Sequence, residues 1–147
     1  MKMGNSLKMV ALACALALGT GCATSRSEVD VNFVAPQSAA AQAPANGKKV
    51  YVTAIDQRVF EIKPRSADIP SLKNDEIGDR TITERAIARK RNGYGKGLGD
   101  VLLPSGRTVA TLVGESVAAA YKQAGYEVVS APNVAGAQAV TVRVKEF

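Results

Sequence analysis

Between Val109 and Ala124, seven residues (Val109, Leu112, Val113, Val117, Ala120, Tyr121 and Ala124) recur at three- and four-residue steps. That spacing places them on one face of a helix, and an apolar helix face has to be covered by another apolar surface. Ser105, just after Pro104, predicts the helix start as an N-cap, and Gly125 predicts its end. The cover comes from runs with strand character: Lys49 to Ile55, Tyr126 to Val129, and Ala139 to Val144, which alternates cleanly. The predicted class is α+β, one small mixed or antiparallel sheet packed against one principal helix. There is no Trp, so the core has to be built from Val, Ile, Leu and Ala.

Asp56-Gln57-Arg58 reads as a strand-end turn closed by an internal Asp–Arg pair. A second apolar–polar alternation at Val59 to Ile62 is stopped by Pro64, and Arg65 to Arg80, broken by Pro70 and Gly78, reads as an ordered loop or a short irregular excursion. Thr81 to Arg91 fits a helical stripe through Ile82, Ala86 and Ile87, but Arg85 to Arg89 also fits a strand. Asn92-Gly93 decides in favour of a hairpin, with Asp100 to Leu103 as its return strand.

The N-terminal end has a different grammar. Lys2 and Lys8 precede an uncharged run, Met9 to Leu18, which leads through Gly19, Thr20 and Gly21 to Cys22. This is the order of an export signal, and the run is too short for the ~18–20 residues of a membrane-crossing helix. With the cysteine directly after the small residues it resembles a bacterial lipoprotein signal, although Gly19 stands where that signal usually carries Leu. The resemblance implies cleavage before Cys22 and lipid on its thiol. It also removes the difficulty of an odd exported thiol, because Cys14 leaves with the signal. Ala23, not Asp, follows the cysteine, which by the same analogy implies the outer membrane. The predicted organisation is residues 1–21 as signal, 22–47 as lipidated N-terminus and flexible tether, and 48–147 as the periplasmic domain. Pro36, Pro44 and the run Ala39-Ala40-Ala41 suit a mobile segment. Val29 to Val34 is the exception, alternating like a strand that adds to a sheet edge.

Composition narrows the chemistry. The chain has 19 basic and 13 acidic residues, a formal charge of +6. Removing Lys2 and Lys8 leaves 17 against 13, or +4, spread along the chain. That suits anionic neighbours such as headgroups or wall polymers, and no nucleic-acid partner is expected. No histidine is present, which excludes Ser-His-Asp triads and the usual Cys/His metal sites. Asp75 with Glu76 and Asp79 with Glu84 are read as solvated charge, not as a converging acid pair. Gly93-Tyr94-Gly95-Lys96-Gly97-Leu98-Gly99 matches no phosphate-binding pattern. It does carry one aromatic among basic side chains, so Tyr94, Arg89, Lys90, Arg91 and Lys96 are the candidate contact residues, with a solvated turn as the alternative. No catalytic residue, cofactor or metal is expected.

Val52 to Arg58, the Asn92-Gly93-Tyr94-Gly95 turn, the helix closing on Ala124 to Val128, and the strand Val140 to Val144 occur in that order. Together with the lipoprotein signal they resemble the YajG-like group of uncharacterised bacterial lipoproteins over most of Lys48 to Phe147. The resemblance implies an envelope lipoprotein with a mixed α/β domain and brings no activity. In that group the sheet continues past the strand corresponding to Val140–Val144, so here the last strand is expected to be an exposed edge, open to another chain. The functional expectation is a non-enzymatic interaction or assembly module at the outer membrane with an envelope protein partner. The alternative is a module binding peptidoglycan or another anionic glycan or glycolipid, and a distant third is an envelope hydrolase.

Overall fold

The computed structural model describes residues 26–32, 45–66, 69–72 and 76–147. They form strands β1 (Ser27–Glu28), β2 (Lys49–Asp56), β3 (Ala86–Arg91), β4 (Gly97–Leu102), β5 (Glu127–Val129) and β6 (Ala137–Val144). The helices are α1 (Arg80–Thr83) and α2 (Val109–Gln123), with a 3-10 turn at Glu76–Gly78 before α1. The fold is α+β with one principal helix. The signal run and Cys22 lie outside the described residues, as do Phe33 and Val34.

The strands divide into two three-stranded sheets, ordered β1-β4-β3 and β5-β2-β6, where a single sheet was expected. In the second, β2 runs parallel to β6 along all of its eight residues, from Lys49↔Ala137 to Asp56↔Val144, and parallel to β5 over three. Among the described strands only the β3–β4 hairpin is antiparallel. The division follows from where the chain turns. β2 ends at Asp56, and the alternation at Val59 to Ile62 forms no strand: Val59 is 74% exposed and Ile62 46% exposed. The chain leaves the second sheet there and returns with β3 to the sheet that also holds β1.

Helix α2 packs on the β5-β2-β6 sheet, as its apolar face requires. Leu103, Val109, Leu112 and Val144 form one buried cluster, with Val31, Ile87 and Val113 against it. A second cluster, Leu72, Ala86 and Leu102, lies under Phe60 and Ile82. The adjacent leucines at the end of β4 thus serve one cluster each.

The helix starts three residues later than Ser105. Arg107 N–H donates to the Pro104 carbonyl, so the chain is still turning there. Thr108 is the N-cap: Thr111 N–H donates to Thr108 Oγ1 at 3.1 Å, and Thr108 N–H to Thr111 Oγ1 at 3.0 Å. This reciprocal pair satisfies two amides that a single Ser105 hydroxyl cannot reach. The C-terminal end is as expected. Gly125 has φ +84°, Tyr126 N–H donates to the Tyr121 carbonyl, and Gly125 N–H to that of Lys122. The rings of Tyr121 and Tyr126 close this Schellman motif edge-to-face at 5.1 Å.

Within the region expected to be tether, Arg26 to Asn32 is seated on the fold. Ser27 and Glu28 pair in parallel with Val101 and Leu102, and Val29 N–H donates to the Leu102 carbonyl at 2.9 Å. The strand lies slightly ahead of the expected Val29 to Val34.

Replacing Gly125 with Ala forces a Cβ into the left-handed region and should cost about 1–2 kcal/mol. Thr108→Ala should cost about 1 kcal/mol and Ser105→Ala less than about 0.5 kcal/mol. Urea midpoints of the three variants check this order.

Candidate functional site

The hairpin tip is a three-residue loop, and the residue it needs in the left-handed region is Gly95 (φ +79°) rather than Gly93. Gly95 N–H donates to the Asn92 carbonyl, and Asn92 N–H donates to that of Lys96. Asn92 Oδ1 also accepts from the amides of Tyr94 and Lys96, at 3.0 and 2.9 Å. This is a type I turn closed by a left-handed residue. Five residues are thereby held by four hydrogen bonds, and the Tyr94 ring projects from them 98% exposed.

The five candidate contact residues do not share one surface. Tyr94 and Lys96 are exposed at the tip. Arg89 and Arg91 turn back toward the loop at 69–72. Arg89 Nη1 donates to Ser71 Oγ and to the Leu72 carbonyl, both at 3.2 Å. Arg91 donates to the Gly95 carbonyl at 2.9 Å and to Ser71 Oγ at 3.2 Å. Lys90 is half-buried and also engaged. A basic ring around the tip therefore reduces to one aromatic beside one lysine.

Asp100 was not among the candidates, yet it is 1% exposed. Register puts it opposite Arg89 across the hairpin. Its Oδ1 lies 3.7 Å from Arg89 Nε, too far for a hydrogen bond, and its Oδ2 accepts from Arg26 at 3.3 Å. Arg26 also reaches Glu76 at 2.7 Å. Partial burial works against the Arg26 charge, but its hydrogen bonds to Glu76 and Asp100 outweigh this and its pKa is raised. A buried carboxylate is costly without such company. Loop length alone would align Arg89 with Gly99; the bulge between Lys90 and Arg91 moves the register by one and brings Asp100 opposite, which no local sequence signal shows.

A concavity of about 860 Å³ lies between the end of β2 and the start of α2, lined by Asp56, Arg58, Phe60, Thr83, Glu84 and Thr108 among others. The pair expected within Asp56-Gln57-Arg58 is present. Arg58 Nε and Nη2 donate to the two Asp56 carboxylate oxygens at 2.9 and 2.7 Å, and the guanidinium also donates to the carbonyls of Ala86 and Thr83. Its carbon lies 5.1 Å from the centre of the Phe60 ring. Glu84 is paired with Arg80, and Thr108 is committed to the helix cap. The charged groups of this groove are thus paired with one another: Asp56 with Arg58, and Glu84 with Arg80.

Asp75 lies outside the described residues. Glu76 is used by Arg26, and Asp79 caps α1, accepting from the Thr81 hydroxyl at 2.7 Å and the Thr81 amide at 2.9 Å. Those two bonds hold the Asp79 carboxyl below its ordinary range. Its stabilising effect is therefore present above the ordinary carboxylate pKa and is lost as pH falls through the lowered value. No group of three side chains suited to hold a metal ion occurs among the described residues. No protein-family model, curated protein or solved structure matches the chain.

Arg89→Ala should destabilise the domain by about 2–4 kcal/mol, because it leaves Asp100 buried with less compensation. Tyr94→Ala and Lys96→Ala should stay within about 0.5 kcal/mol of the parent. Thermal melts of the three variants separate the structural arginine from the free tip.

Proposed function

We propose that this chain is an outer-membrane lipoprotein, anchored through lipid on Cys22 with its folded part on the periplasmic face. In this reading the domain is a non-enzymatic interaction module that docks an envelope protein through its hairpin tip. The observation that carries the docking surface is Tyr94, an aromatic ring almost wholly in solvent on a loop braced by four hydrogen bonds. A pre-ordered ring loses little freedom on binding, and buried aromatics supply much of the energy of protein interfaces. Lys96 beside it suits a partner with acidic groups. β6 ends its sheet among the described residues and offers a second surface for strand pairing.

The export grammar of residues 1–22 supports the anchor, and the resemblance to YajG-like lipoproteins agrees with it. Binding of an anionic wall polymer draws less support, because Arg89 and Arg91 are committed to Ser71, Leu72 and Gly95. A hydrolase draws least, since the groove's carboxylates are already paired.

Photo-crosslinking in cells from a reactive amino acid at position 94, with Cys22 and with Cys22→Ser in parallel, tests this function. The expected result is a discrete protein adduct that requires Cys22. No adduct from a folded, membrane-bound protein would refute docking through the tip, and material trapped on the wall would replace it with polymer binding.

A further inference from the structure

We infer that Arg26 to Asn32 is a strap that holds the domain against the membrane, so that the nominal tether does not set its height. This rests on the lipid anchor proposed above. The strap is tied along its length. Arg26 bonds Glu76 and Asp100, Glu28 pairs with Arg85, and Asp30 lies 3.6 Å from Arg107, which also donates to Asn32 Oδ1 at 3.0 Å. Two parallel bridges to Val101 and Leu102 fix its register, and Val31 packs against the cluster of Leu103, Val109, Leu112 and Val144. The acidic and basic side chains of the strap each meet the opposite charge on the fold, so this segment and this edge of β4 are matched to each other.

Chain length then supplies the consequence. From Cys22 to Arg26 there are four residues (26 − 22), which span at most about 14 Å when fully extended. With the strap seated, the edge of the domain at Arg26, Glu76 and Asp100 stays within that distance of the acylated cysteine and faces the lipid headgroups. Without it, the free segment would run from Cys22 to Lys48, 26 residues (48 − 22), with a root-mean-square span of about 25–30 Å and a limit near 90 Å. The strap therefore turns a long leash into a short one and fixes which edge of the domain meets the membrane.

Two insertions of the same ten-residue Gly/Ser sequence test this, one between Thr24 and Ser25 and one between Ala40 and Ala41. Both leave every strap contact in place. Full-length lipidated protein is extracted from cells and reconstituted into phosphatidylethanolamine–phosphatidylglycerol vesicles carrying an acceptor-labelled headgroup. A donor sits on Gly78→Cys, an exposed position with open space around it, two residues from Glu76. With Cys22 acylated, that thiol is unique. The strap requires the first insertion to lower energy transfer at least twofold and the second to leave it unchanged. Equal losses from both insertions, or no loss from either, would overturn the strap. A mass for the extracted chain without acyl groups on Cys22 would overturn the anchor itself and the strap's membrane role with it.

Discussion

The two sheets share no ladder of hydrogen bonds, and the Arg58 guanidinium is what crosses between them. Asp56, the last residue of β2, grips it with both carboxylate oxygens, while it donates to the carbonyls of Ala86 at the start of β3 and Thr83 at the end of α1. The side chain is 1% exposed, and its partner carboxylate is 15% exposed. A buried ion pair is a weak source of net stability, since desolvation offsets most of its attraction. Its value here is positional: one planar group with donors in fixed directions sets the angle between two small sheets. The clusters around Leu102 and Leu103 then fill the space this angle leaves. Backbone bonds from Leu103 N–H to the Arg85 carbonyl and from Val109 N–H to the Glu84 carbonyl tie the end of β4 and the start of α2 to the segment between α1 and β3.

How much of this was legible in the sequence varies with the range of the interaction. The α2 stripe, its Gly125 end, the β2 and β6 runs and the hairpin all follow from periodicity and turn chemistry within about fifteen residues. The Asp56–Arg58 pair was legible for the same reason, being two residues apart. Its reach to Ala86 and Thr83 was not, because nothing local shows where a guanidinium ends. The division into two sheets depends on that reach, which explains why one sheet was expected. Thr108 was not legible as the N-cap, because the Thr108–Thr111 pair reads as two ordinary β-branched residues until the preceding turn is known.

At the candidate site the same distinction separates chemistry from placement. Basic residues near a glycine-rich tip were legible, but their directions were not. The two arginines serve the loop at 69–72, and Asp100 draws Arg89 and Arg26 inward. The result is a tip with one free ring and one free lysine, above a base held by buried charge. Seating of Arg26 on that base also changes the meaning of the N-terminal segment, whose composition alone suits a mobile tether. Ion pairs with residues 50 to 77 positions away are invisible to composition. Under the proposed function, lipid on Cys22 would hold the strap end of the domain and leave the hairpin tip to meet a partner.

Native-state hydrogen exchange on the protein, with and without Arg58→Ala, tests most directly whether Arg58 makes the two sheets one unit. In the parent protein the slowest amides of β2 and β6 should open with the same free energy as those of β3 and β4, as one cooperative unit. Arg58→Ala should lower that shared value by about 3–5 kcal/mol, because it leaves Asp56 without its partner. Two different opening energies for the two sheets in the parent, or no change in the variant, would contradict the account.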